Sequence, residues 1–78
     1  MKIITRSVFE KIVVPNLPQT GWTCRREPCM LNGDGATRQI MSVDGVPLIV
    51  IDTANNGSKA VVKVDESLLA ARKKNARN

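Results

Sequence analysis

The stretch that decides the fold runs from Ala36 to Val64 and reads ATRQIMSVDGVPLIVIDTANNGSKAVVKV. Two turn signals divide it into runs rich in β-branched residues: Asp44-Gly45, then Asn-Asn-Gly-Ser at 55–58. Asp-Gly and Asn-Gly between such runs favour hairpins, because a type I′ turn requires positive φ at both central positions. The stretch therefore predicts an antiparallel β-meander.

A two-residue turn at Asp44-Gly45 would also set the register of the first hairpin. A regular ladder then predicts three facing pairs: Val43 with Val46, Met41 with Leu48, and Gln39 with Val50. Its two faces carry different apolar sets: Val43, Met41, Val46, Leu48 and Val50 on one, and Ile40, Ile49 and Ile51 on the other. A strand that is apolar on both sides should be covered on both sides. We expect a helix of this chain on one face, and the N-terminal segment or a second molecule on the other, which makes Ile40, Ile49 and Ile51 the predicted oligomer face.

The end of the chain predicts a half-exposed strand followed by a basic helix. Between Lys59 and Val64 the sequence alternates, with two lysines on the wet side, as is common at a sheet edge. Asp65 is a suitable N-cap, and the residues after it, to about position 74, have high helix propensity with cations at the C-terminal end. We expect this helix to pack through Leu68 and Leu69, and residues 75–78 to fray.

The N-terminal half predicts shorter elements. Lys2 to Thr5 reads as a strand, and Ser7-Val8-Phe9-Glu10 matches a capping box that would start a helix over 8–13, with a strand as the alternative. Residues 21–26 read as another strand, ended by Glu27-Pro28, and 32–35 as a turn cluster. The predicted class is α+β: a small antiparallel meander of about three to five strands with a C-terminal basic helix and a possible short N-terminal one.

Composition limits the size and setting of this fold. The 78 residues make one domain, spanning 1–78, and are 42% hydrophobic, with Phe9 and Trp22 as the only aromatic residues. The core must therefore be aliphatic. The sequence shows neither a long apolar run nor a signal peptide, which predicts a cytoplasmic protein, in the host cytoplasm if it is viral.

The residues that usually carry chemistry are sparse. Histidine is absent, which excludes Ser-His-Asp and Cys-His arrangements within the chain and removes the commonest general base. A zinc site at Cys24 and Cys29 would need two further ligands, from carboxylates or from a second copy. We expect free thiols there, with a small disulfide loop as the alternative. The prediction is a protein that is not an enzyme and has no cofactor and no metal.

Charge points to an acidic partner. The net charge of +5 and the pI near 9.8 favour an acidic protein surface or a nucleic acid, and no membrane. Arginine beside a lone tryptophan is hot-spot composition, so the predicted partner-binding residues are Trp22, Arg25 and Arg26. The alternative nucleic-acid site is the second basic cluster, Arg72, Lys73, Lys74 and Arg77.

Three functional hypotheses follow. The first is a non-catalytic binding protein that docks on a larger protein or nucleoprotein assembly and modulates or inhibits it. Small basic proteins of phages and mobile elements, such as inhibitors of host defence or transcription, are of this kind. The second is a nucleic-acid-binding regulator that uses Arg25-Arg26 and Arg72-Lys74. The third is a structural component of a viral or other particle, and homodimerisation is open in all three.

Overall fold

The computed structural model describes residues 1–69 and contains a five-stranded antiparallel sheet. Its strands are β1 (Lys2–Ile4), β2 (Trp22–Leu31), β3 (Asp34–Val43), β4 (Val46–Ala54) and β5 (Ala60–Val64). They lie in the order β1-β5-β4-β3-β2, so β2 to β5 form a meander and the N-terminal strand is added beside β5. The predicted antiparallel meander in an α+β fold is confirmed.

Two-residue turns with positive φ connect the first three strands of the meander. Asp44 and Gly45 have φ of 52° and 81°, and Asn32 and Gly33 have φ of 53° and 85°. Asn, Asp and Gly tolerate this left-handed region far better than other residues, which is why these dipeptides direct hairpins. The turn at 44–45 is confirmed, and the turn predicted over 32–35 is reduced to its first two residues.

The Gly45→Ala variant should be less stable by about 1–2 kcal/mol, because an L side chain is strained at positive φ. A Cβ at Gly45 would meet no atom within 4 Å, so the cost lies in the backbone alone. Asp44→Asn, which keeps a residue that tolerates positive φ, should change stability by less than about 0.5 kcal/mol. Urea unfolding of the two variants measures both values, and equal stability of Gly45→Ala and the parent would contradict the turn assignment.

A β-bulge changes the register of the β3–β4 hairpin. Val43 faces Val46 as predicted, but the register shifts between Met41 and Ser42. Beyond the shift Met41 faces Ile49, and Leu48 is the extra residue on β4. The predicted pairs of Met41 with Leu48 and of Gln39 with Val50 are therefore wrong, because one extra residue moves every later side chain of β4 to the other face.

The shift also separates the residues of the predicted oligomer face. Ile49 is fully buried, and Ile51 packs against the same core cluster. Ile40 faces Val50 instead, so it projects from the opposite side of the sheet. Ile40, Ile49 and Ile51 do not form one surface, and the prediction that they do is wrong.

Helical segments cover the face that carries Ile49, which we call the core face. A short helix, α1 (Arg6–Val8), continues as a π turn (Phe9–Val13) and a 3₁₀ turn (Val14–Asn16). These elements confirm a helical rather than extended conformation over 8–13. Val13 is buried with Ile49 and Val64. The N-cap is Thr5, whose Oγ1 accepts a hydrogen bond from the amide of Val8 at 3.2 Å, so the helix begins before the predicted cap at Ser7.

A second helical turn, at 66–69, packs on the same face. Asp65 caps it as predicted, since its Oδ2 accepts hydrogen bonds from the amide nitrogen of Ser67 at 3.0 Å and from the Ser67 hydroxyl. These bonds hold the pKa of Asp65 below its ordinary value. Leu68 is buried in the core and Leu69 packs against it. The rest of the predicted basic helix and the frayed tail at 75–78 lie outside the described residues.

The edges of the sheet also differ from the prediction. β1 pairs with β5, so the strand that carries Lys63 is internal and not an edge. The edge strands are β1 and β2, and β2 continues through Glu27-Pro28 to Leu31. A proline is tolerated in an edge strand where its nitrogen faces away from the neighbouring strand, and Pro28 occupies such a position opposite Thr37.

Candidate functional site

The face of the sheet opposite the core face, which we call the open face, carries a row of side chains that crosses all five strands. Directly facing residues of antiparallel strands project from the same face. The register therefore places five residues in one row: Arg25, Ile40, Val50, Lys63 and Ile3. The apolar centre of this row, Ile40 and Val50, is partly buried and lies between two cationic side chains.

A shallow depression lies beside this row, between β2 and the hairpin of β3 and β4. Its volume is about 290 Å³, and its lining includes Thr23, Arg25, Ile40, Ser42 and Pro47. Thr23 faces Ser42 across the β2–β3 ladder, so two hydroxyl groups border the apolar Ile40. The depression combines apolar contact, hydroxyl groups and one arginine, which suits a projecting side chain of a protein partner.

A buried carboxylate organises the cations of the open face. Asp52 is 3% exposed, and Arg38 binds it with two hydrogen bonds, Nε to Oδ1 at 2.8 Å and Nη2 to Oδ2 at 3.1 Å. Lys63 Nζ lies 3.7 Å from Oδ2. The hydrogen bond and charge of Arg38, with a contribution from Lys63, lower the pKa of Asp52 despite its burial. Asp52 is therefore ionised at neutral pH and holds two cationic side chains in place.

The predicted partner-binding residues do not form one cluster. Trp22 packs against the core, and its Nε1 donates a hydrogen bond to the carbonyl oxygen of Pro18. Arg25 and Arg26 are neighbours in β2 and project from opposite faces, as strand alternation requires. Arg25 lies on the open face, where its side chain is 74% exposed and 3.8 Å from that of Glu27. Arg26 projects from the core face, as Trp22 does. The alternative site, Arg72, Lys73, Lys74 and Arg77, lies outside residues 1–69.

The two cysteines are free thiols, as predicted. They lie five positions apart in β2, so they project from opposite faces and their Cα atoms are separated by roughly 16 Å. This distance is far beyond the span of a disulfide bond and rules out the small loop that the sequence left open. The thiol of Cys24 is exposed and accepts a hydrogen bond from Gln39 Nε2 at 3.3 Å.

A larger groove borders the other edge of the sheet. It measures about 660 Å³ and is lined mostly by apolar side chains of β1 and α1, among them Ile3, Ile4 and Val8. It also borders Leu69, the last residue that the structure describes.

Within residues 1–69 no cluster of three or more metal-ligating side chains occurs, and no helix of that part of the chain is long and apolar enough to cross a membrane. Comparison of the chain with protein-family models, with characterised proteins and with solved structures yields no match.

Proposed function

We propose that this chain is a non-catalytic binding module that docks through its open face on a larger protein or nucleoprotein assembly and modulates or inhibits it. The observation that carries the proposal is the row in which Ile40 and Val50 lie between Arg25 and Lys63. Protein interfaces have this composition, with an apolar centre, a polar rim and an enrichment in arginine.

The charges of the open face favour an acidic partner. The side chain of Arg25 is 74% exposed, whereas that of Asp52 is 4% exposed and already paired. Glu27 is also exposed beside Arg25, at 46%, but the three cations Arg25, Arg38 and Lys63 outnumber it on this face. An approaching protein would therefore meet mainly cationic groups. For so small a basic chain, we propose more specifically a phage or mobile-element protein that inhibits a host defence or transcription complex.

The test is a pull-down from host lysate with tagged protein, with and without nuclease. A stoichiometric protein partner should survive nuclease, and its recovery should fall at least about tenfold for Arg25→Ser and for Ile40→Ser. Arg6→Ser is the matched control, because it removes the same charge from α1, where the side chain is 92% exposed. Equal recovery by all three variants, each checked for folding by circular dichroism, would contradict docking through the open face.

A nucleic-acid-binding regulator is the second candidate, and the distribution of charge favours it. Residues 1–69 contain eight Lys and Arg against seven Asp and Glu, so four of the five excess positive charges lie in 70–78. This candidate predicts that nucleic acid is recovered with the parent and lost when Arg72, Lys73 and Lys74 are replaced together by alanine. The slope of log K against log salt concentration should then become shallower by about 3. Arg25→Ser would then have a smaller effect than the triple variant.

A further inference from the structure

The outer edge of β2 is an unpaired strand edge. β2 is ten residues long and terminal in the sheet, and no strand within residues 1–69 pairs with its outer side. The two-residue turn at Asn32-Gly33 makes Leu31 and Asp34 a hydrogen-bonded pair. Because bonded and non-bonded pairs alternate, the even-numbered residues of β2 direct their backbone polar groups outward. Trp22, Cys24, Arg26 and Met30 each present an N–H and a C=O, and Pro28 presents only a C=O.

We propose that this edge pairs with the same edge of a second copy of the chain, antiparallel and around a two-fold axis at Cys24. Trp22, Cys24 and Arg26 of each copy then form about six backbone hydrogen bonds between the copies. The two sheets become continuous. The opposite edge is less suited, because β1 has only three residues. The dimer does not depend on the proposed function, since it uses the strand edge rather than the open face.

Pro28 and the arginines select this register from the others that two-fold symmetry allows. An axis at Arg25 would place Arg25 opposite its own copy, and like charges directly opposite each other destabilise a strand pair. It would also pair Trp22 with Pro28, which has no N–H to donate. An axis at Arg26 has the same two defects, with Arg26 opposite Arg26 and Cys24 opposite Pro28.

An axis on the other side is also less favourable. With the axis at Thr23, Arg26 would face Thr20, which precedes the strand, so only Trp22 and Cys24 could bond within the ladder. The axis at Cys24 therefore gives the longest ladder that avoids both Pro28 and facing arginines.

The side chains that face each other in this register are complementary. Trp22 and Arg26 both lie on the core-face side, so each Trp22 faces Arg26 of the second copy. A guanidinium over an indole ring makes a favourable cation–π contact. On the open face, Arg25 faces Thr23 of the second copy, so no like charges are directly opposed. The pairing thus gives a role in dimer formation to Trp22 and Arg26, which do not lie on the open face.

Oxidative cross-linking tests the register directly. Hydrogen-bonded residues at the axis have Cα atoms about 5.5 Å apart, within the range of a disulfide bond, whereas the two Cys29 residues would be separated by roughly 30 Å. Diamide, a thiol oxidant, should cross-link the parent and Cys29→Ser as dimers, through loss of the two Cys24 thiol protons and two electrons to diamide. Cys24→Ser should not cross-link. Cross-linking through Cys29, or equally through both thiols, would overturn the proposal.

Sedimentation under reducing conditions tests the backbone pairing. Cys24→Ser keeps the amide and should dimerise like the parent, whereas Cys24→Pro removes an outward N–H that β3 does not use and should weaken dimerisation at least about tenfold. Arg26→Glu removes the cation–π contact without changing the backbone, so it should weaken dimerisation too. It replaces the proline variant as the test if Cys24→Pro does not fold. A parent that is monomeric at all concentrations, or a folded variant of either kind that dimerises like the parent, would overturn the proposal.

Discussion

Replacing Ile49 with alanine is expected to lower the free energy of unfolding by about 2–5 kcal/mol. Ile49 is fully buried and packs with Val13, Val64 and Leu68 from three other parts of the chain. Truncation removes apolar contacts and leaves a cavity that the surrounding strands cannot close. A domain of this size is stable by only a few kcal/mol, so a substantial fraction of the variant should be unfolded at room temperature. Urea unfolding followed by far-ultraviolet circular dichroism measures the change.

Val50→Ala is the matched control for this prediction. Val50 is adjacent to Ile49 in β4 but projects from the open face, where it is only partly buried. Its truncation should cost about 1 kcal/mol or less. A ladder without the bulge would place Val50 on the core face with Met41 and Leu48. Val50→Ala would then cost more stability than Ile49→Ala. A larger loss for Val50→Ala than for Ile49→Ala would therefore contradict the observed register.

The elements that the sequence predicted well are those determined by local chemistry. Asp44-Gly45 directs its turn because both residues tolerate positive φ, and Asp65 caps the turn at 66–69 because its carboxylate is within reach of the Ser67 amide. Neither depends on distant parts of the chain. The capping-box pattern at Ser7 predicts the short helix but not its start, because Thr5 and Ser7 are both good N-caps and the structure uses Thr5.

The bulge could not be predicted from the turn alone. A regular ladder extended from Asp44-Gly45 satisfies the local rules, and nothing at Leu48 itself marks the extra residue. The available signal was electrostatic: the bulge brings Arg38 opposite Asp52, whereas a regular β3–β4 ladder would place Arg38 opposite Ile51 and Asp52 opposite Thr37. For this hairpin, opposite charges on facing strands therefore indicate the register better than continuity of the apolar pattern does.

Only part of the candidate site could be predicted from the sequence. Arg25 is on the open face, but strand alternation places its neighbour Arg26 on the other face. The position of β2 at the edge depends on β1 pairing with β5, a contact between distant parts of the chain. Glu27-Pro28 predicts the end of a strand because proline interrupts regular structure. Only that distant contact leaves β2 at the edge, where a proline is tolerated.

Removing Arg38 is expected to destabilise the protein more than removing Asp52, its partner. Asp52→Ala should cost about 1–3 kcal/mol, because charged hydrogen bonds are lost but the Arg38 side chain, 37% exposed, can turn to water. Arg38→Ala leaves the buried carboxylate with Lys63 alone, at 3.7 Å. The double variant should be more stable than Arg38→Ala, since it removes the unpaired charge. Arg6→Ala, at an exposed ion pair with Glu10, is the control and should be nearly neutral.

The same ion pair predicts how stability depends on pH. The folded state lowers the pKa of Asp52 below its ordinary value of 3.8. The stability that its ionised form contributes is therefore present above that value and is lost as pH falls through the lower folded pKa. The difference in unfolding free energy between the parent and Asp52→Ala should accordingly shrink between about pH 6 and about pH 2.5. Since Asp65 is present in both proteins, its own lowered pKa cancels in this difference. A difference that stays constant over this range would mean that Asp52 contributes through packing and not through its charge.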